Sequence, residues 1–226
     1  MSGAADEMTD KREEDRLPAG HQPRWAKFLV RGLIRLAYGG AEVAGLEHVP
    51  RQGPLIIAPT HRSYLDPIIL SAFLPRVIYC MAKRELFEVP LLGSAVRFFG
   101  SFPVDRGAAR GSTFRVALRL LRLGGTVVVF PEGGIVAKMG EELKAGMGAL
   151  ASMSGAPVLP VYLAGSNTLF SWREAISDSP RLVFRVGPPI TVPERRGREG
   201  REEMTRRVMA ALGGLERASG VQTPER

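Results

Sequence analysis

The chain has 226 residues, 45% of them apolar, and a mean hydropathy of zero. That is enough for one ordinary domain, or at most two small ones, with a real core, and it excludes disorder throughout. Lys and Arg number 31 against 23 Asp and Glu, a formal charge of +8 that calls for an anionic partner, while one cysteine, Cys80, excludes a disulfide framework and a cysteine-rich metal site and fits a reducing compartment. No apolar run reaches the roughly 18 residues of a membrane span, and Met1 to Arg16 lacks the apolar centre of a signal peptide, so the expectation is a cytoplasmic protein, soluble or bound at a membrane surface.

Residues 1–23 read as a disordered tail. Six carboxylates against three cations give Met1 to Arg16 a local charge of −3, which leaves +11 on the rest, and few large apolar side chains offset its ordering entropy. Residues 24–40 read as an amphipathic helix: Trp25, Phe28, Leu29, Leu33, Ile34, Leu36 and Tyr38 recur at near-helical spacing among Arg24, Lys27, Arg31 and Arg35, and Gly39-Gly40 ends it. Such a helix either lies in a membrane interface or packs on its own domain. Strands are expected at Pro54 to Pro59, Arg76 to Ala82, Ser101 to Val104, Thr126 to Phe130, Val158 to Leu163 and Arg181 to Val186. Helices are expected at Ile68 to Leu74, Pro90 to Phe99, Ala109 to Leu123, Leu143 to Ser154 and Glu199 to Leu215. The alternation predicts an α/β fold: a single domain over 41–215 with a mostly parallel or mixed β-sheet flanked by helices on both faces, then a second disordered tail over 216–226.

In such sheets reactive residues gather where strands run into loops. His61 follows the first strand, with Asp66 five residues later; a carboxylate on one ring nitrogen would fix the tautomer and leave the other nitrogen as a base. Ser63 and Asp66 equally fit a capping box, with Pro67 at the first helical position. No Gly-x-Ser-x-Gly elbow is present and Cys80 lies within an apolar strand, so a nucleophile would come from the substrate, a hydroxyl attacking an activated acyl group. Arg106, after the third strand, is either a phosphate fork or a surface ion pair. Glu132 and Gly133 end the fourth strand in a motif that lets backbone amides approach a ligand, or form a plain glycine turn. Lys83 opens a short charge run at another strand end. The three histidines show no metal-ligand spacing, and no nucleic-acid motif is present.

Taken in order, four blocks resemble the glycerolipid acyltransferase family typified by bacterial 1-acyl-sn-glycerol-3-phosphate acyltransferases: His61-Arg-Ser-Tyr-Leu-Asp66, Gly100-Ser-Phe-Pro-Val-Asp-Arg106, Phe130-Pro-Glu-Gly133 and Val158-Leu-Pro-Val161. The resemblance runs from about Val43 to about Ile190. It implies transfer of a fatty acyl chain from acyl-CoA or acyl carrier protein, as co-substrate and with no cofactor, to the free hydroxyl of a lysophospholipid, most directly 1-acyl-glycerol 3-phosphate. It further implies His61 as base, Asp66 as its orienter, Lys83 and Arg106 as phosphate ligands, and Glu132 and Gly133 as acceptor contacts, in a peripheral protein at the cytoplasmic face of the membrane. Two departures stand out. The third block continues Gly134-Ile135-Val136 where the family usually has Thr-Arg-Ser, and Thr60 stands where asparagine usually precedes the histidine. A different lipid acceptor, or a non-catalytic lipid-binding protein, therefore stays open beside the first reading.

Overall fold

The computed structural model describes residues 22–63, 65–83, 87–88, 90, 92–104, 110–131, 140–166, 182–194 and 197–220. Its seven strands are β1 (Ala41–Ala44), β2 (Leu55–Pro59), β3 (Tyr79–Lys83), β4 (Ser101–Val104), β5 (Thr126–Val128), β6 (Val158–Ala164) and β7 (Leu182–Val186). They form one sheet in the order β1-β7-β6-β2-β5-β3-β4. Every neighbouring pair is parallel except β6 with β7, where Val161 lies opposite Val186. The fold is the expected α/β domain with a mixed sheet.

All five residues of β2 and all seven of β6 are buried, as unbroken apolar runs must be when both sheet faces are covered. Each such Leu, Ile or Val contributes about 1.5–3 kcal/mol by leaving water. On one face Ile57, Leu159, Val161 and Phe184 pack against α1 (Arg24–Tyr38) and α2 (Asp66–Phe73). On the other, Ile56, Ala58, Val127 and Val158 pack against α4 (Arg110–Arg122), α5 (Gly140–Ser154) and α6 (Gly197–Ser219), while α3 (Leu92–Phe98) leads into β4. Alternate side chains of each strand thus feed two separate cores. Glycine is required at Gly148, where a Cβ would fall 2.6 Å from the Arg201 carbonyl oxygen and push α5 off α6.

α1 spans the residues its periodicity indicated, between Pro23 and Gly39, whose left-handed φ of 69° ends it. Its cations finish α2: Lys27 Nζ donates to the Leu74 and Arg76 carbonyls at 2.9 and 3.1 Å, and Arg31 Nε donates to that of Ala72 at 2.8 Å. The Ala72 and Leu74 carbonyls are ones that the end of α2 leaves without partners, and that of Arg76 lies on the connection just beyond.

Some expected boundaries shift. Gln22, expected in the tail, is buried, because its carboxamide donates to the Ile78 and Phe99 carbonyls at 2.8 Å and so satisfies the lower edge of β3 and β4. β3 begins at Tyr79 rather than Arg76, since the Arg76 guanidinium is spent on the carbonyls of Pro50, Gly53 and Gly124. α6 continues to Ser219, past the expected limit at residue 215, with Leu212 buried and Leu215 packed against Tyr162 and Val183. The expected disorder of residues 1–21 and 221–226 lies outside the described residues.

Candidate active site

Because β2, β3, β4, β5 and β6 run parallel, their C-terminal ends share one edge of the sheet. β2 is central and delivers Thr60 and His61 there. Thr60 locks the exit: its Oγ1 donates to the Leu163 carbonyl and accepts from the Leu163 amide, both at 2.8 Å, tying the end of β2 to that of β6. The next residue, His61, therefore leaves a fixed point.

His61 Nδ1 lies 2.8 Å from Asp66 Oδ2. The same oxygen accepts the amides of Arg62 at 2.7 Å and Ser63 at 2.8 Å. An oxygen already accepting two N–H groups is an acceptor toward the ring as well, so Nδ1 carries the proton and Nε2 is the nitrogen left to act as a base. Asp66 is fully buried, whereas the His61 side chain is 13% exposed, which leaves the imidazole one opening to the outside. Asp66 Oδ1 is buried and accepts no hydrogen bond among the described residues. On its other side the imidazole stacks on Phe130, with ring centroids 4.0 Å apart and planes 28° apart.

The capping-box expectation is met in part: Asp66 Oδ2 accepts the Ser63 amide, the reach-back half of such a box, but Asp66 is not itself the cap. α2 does begin at Asp66 with proline next, but Leu65 occupies the cap position and no side chain caps the helix. The Asp66 carboxylate instead turns back onto the loop from His61 to Ser63, while Ser63 Oγ accepts the Leu65 amide at 3.2 Å. Reaching back to a preceding amide is what the later residue of a capping box does; here the same oxygen also holds the His61 ring.

Lys83 closes β3 at this edge, as Val104 closes β4. The Lys83 side chain, and Arg106, Glu132 and Gly133 entirely, lie outside the described residues. Cys80 is no competing nucleophile: it is fully buried in β3, and burial pushes its thiol up to about 12. His48 is structural, its Nδ1 lying 2.9 Å from the Val186 carbonyl oxygen. Among the described residues no three His, Cys, Asp or Glu side chains converge on a site for one metal ion.

Sequence reasoning missed two parts of this arrangement. One is the Phe130 stack, visible only once β5 is known to lie beside β2; the other is the Thr60 clamp, which needs β6 on the opposite side. An imidazole oriented through Nδ1 in this way can, at Nε2, remove a proton from a hydroxyl and return it to a leaving group.

A family model described as Acyltransferase matches residues 40–164. The chain is 35% identical over 169 residues to the 1-acyl-sn-glycerol-3-phosphate acyltransferase of Bacillus subtilis, covering 73% of this chain and 81% of that protein. It is 27% identical over 189 residues to the protein of the same name from Streptococcus pneumoniae, covering 79% and 69%. Among solved structures, the 1-acyl-sn-glycerophosphate (LPA) acyltransferase PlsC from Thermotoga maritima superposes with a TM-score of 0.64 at 19% identity, over 89% of this chain and 81% of that one. That last likeness is one of fold.

Proposed function

Since the chain belongs to the Acyltransferase family, we propose that it moves a fatty acyl chain from a thioester, acyl-CoA or acyl carrier protein, to the free hydroxyl of 1-acyl-sn-glycerol 3-phosphate, giving phosphatidic acid. The observation that carries the mechanism is the 2.8 Å contact between His61 Nδ1 and Asp66 Oδ2 at the C-terminal edge of the sheet. Nε2 takes the hydroxyl proton as the oxygen attacks the thioester carbonyl. A C–O bond forms, the tetrahedral intermediate collapses with loss of the C–S bond, and the imidazolium returns the proton to the departing sulfur. Asp66 stabilises the imidazolium in between, and Phe130 holds the ring plane. In this proposal Lys83 and Arg106 bind phosphate groups, and Glu132 and Gly133 contact the acceptor.

The protein works at a membrane surface, at its cytoplasmic face, with α1 as the docking element. No helix among the described residues is long and apolar enough to cross a bilayer. At 100° per residue α1 divides into three sectors. Ala26, Ile34 and Tyr38 face the core; Arg24, Arg31 and Arg35 form an exposed stripe; Trp25, Phe28, Leu29, Leu33 and Leu36 face outward, Phe28 80% and Leu36 85% exposed. A helix facing only water would carry polar residues in that last sector, whereas an interfacial helix buries it among acyl chains with cations at the headgroups.

The replacement of Thr-Arg-Ser by Gly134-Ile135-Val136 favours one second reading, a lysolipid acceptor whose phosphate is held elsewhere. Long-chain acyl-CoA with vesicles containing 1-acyl-glycerol 3-phosphate should yield free thiol and phosphatidic acid in equal amounts. Turnover only with another lysolipid changes the acceptor, and no turnover with any lysolipid or either donor removes the catalytic proposal.

A further inference from the structure

A cleft of about 780 Å³ opens between the first half of α1 and the connection from α2 to β3, lined among others by Arg24, Lys27, Arg31 and Arg76, with Trp25 and Phe28 at the outward-facing side of the helix. Among the described residues no Asp or Glu lines it. It opens at the N-terminal ends of β3 and β4, where Gln22 is bonded, and so lies across the sheet from His61.

Part of this charge has structural work. Lys27 donates two of its three N–H groups to the Leu74 and Arg76 carbonyls just past α2, Arg31 donates one of five to the Ala72 carbonyl, and Arg76 is spent on loop carbonyls. The negative end of the α2 dipole amounts to only about half a charge, far less than the four cations present. Arg24 makes no hydrogen bond among the described residues and sits in the first turn of a helix that has no acidic residue there, where a cation is disfavoured. The Lys27 ammonium is held below its usual value, first by burial and then by repulsion from Arg31. Capping α2 therefore leaves Arg24, the surplus charge and the cavity itself unaccounted for.

We propose that this cleft is a second lipid site, separate from the reaction centre, that receives the phosphate-bearing headgroup of an anionic membrane lipid while its acyl chains lie along Trp25 and Phe28. The site rests on the membrane docking proposed above and adds to it. Docking by the apolar face alone is indifferent to lipid charge; the cleft makes it selective, with Arg24 and Arg31 as the groups having N–H donors to spare.

The test uses the full chain with phosphatidylcholine vesicles, with and without phosphatidylglycerol, at about 0.5 M salt, where a screening length of about 4 Å removes diffuse attraction but spares a partly buried contact. Wild type should prefer the anionic vesicles. Arg24→Gln with Arg31→Gln should cut that preference about tenfold or more, while Arg51→Gln with Arg122→Gln, which removes the same charge from exposed positions outside both the cleft and α1, should change it less than about twofold. Equal losses from the two pairs, or a loss by the cleft pair that is as large on zwitterionic vesicles, would overturn the site. If the melting temperature of the cleft pair falls, Arg24→Gln alone against Arg51→Gln alone makes the same comparison, because Arg24 bonds to no described residue. About 50 mM inorganic phosphate, at ionic strength matched with chloride, should leave the preference intact, because the acyl chains supply part of the binding. Abolition by phosphate would mean a free-anion site and overturn the lipid assignment. Wild-type binding equal on both vesicles defeats the cleft alone, whereas no binding to either defeats the docking proposal with it.

Discussion

Replacing Asp66 by asparagine removes one charge at nearly constant shape and separates two jobs of that residue. In the wild type, Oδ2 accepts three bonds of 2.7–2.8 Å, from His61 Nδ1 and the amides of Arg62 and Ser63. An asparagine carbonyl can keep these positions, but each bond falls from a charge-assisted about 1.5–3 kcal/mol toward a neutral about 0.5–1.5 kcal/mol. The wild type also bears the cost of burying a carboxylate at 0% exposure, so much of that loss is offset and the net destabilisation should be about 1–2 kcal/mol. The asparagine NH2 occupies the place of Oδ1, which is buried and makes no hydrogen bond among the described residues of the wild type. The effect on rate should be much larger. The imidazolium formed when His61 takes the proton loses its counter-charge, and a ring turned to accept from the new NH2 presents a proton, not a lone pair, at Nε2. For an orienting carboxylate this is worth about 10³–10⁴ in kcat, or about 4–5.5 kcal/mol. Initial rates of thiol release at saturating acyl-CoA and lysolipid, with lipid product measured in parallel, should show that loss with KM nearly unchanged. A folded Asp66→Asn protein within tenfold of wild-type kcat would refute the reasoning.

Phe130→Leu deletes the ring face against His61 while keeping the strand apolar, and should lower kcat about three- to tenfold, the about 0.5–1.5 kcal/mol of an aromatic contact, with little change in KM. Unchanged kcat would mean that the stack does not position the base. Cys80 should resist an aromatic disulfide reagent at neutral pH until the protein unfolds. Burial raises its thiol from the ordinary 9.0 to about 12 in the folded chain, so the unfolded chain loses that proton first. The contribution of Cys80 is complete below about pH 9 and is lost as pH rises toward 12, and Cys80→Ala should flatten that decline in urea titrations. Identical alkaline slopes for the two proteins would contradict the burial argument.

What could be read from residues alone depended on how local the cause was. α1 was legible to the residue because Pro23, the apolar spacing and Gly39 are all local signals. β2 and β6 were legible as unbroken apolar runs. β1 was not, since Ala41-Glu-Val-Ala44 is four residues long and becomes a strand only by pairing with β7. The antiparallel placement of β7 likewise depends on where the chain goes between Ala164 and Leu182, not on any pattern within either strand. At the site, the spacing of His61 and Asp66 announced a pair but left open whether Asp66 served a capping box or held the ring, and only the placement of its carboxylate shows one oxygen doing both. Thr60 and Phe130 act on His61 or its loop through strands distant in sequence, so their neighbours carry no trace of it.

The central claim is that His61, held by Asp66 at the C-terminal edge of the sheet, removes the proton of the acceptor hydroxyl. The most direct measurement is the rate of phosphatidic acid formation from long-chain acyl-CoA and 1-acyl-glycerol 3-phosphate by His61→Ala beside the wild type, with the melting temperatures of both recorded. Loss of at least about 10³ in kcat with the fold intact is the expected result. A folded His61→Ala protein that turns over within tenfold of wild type would contradict it.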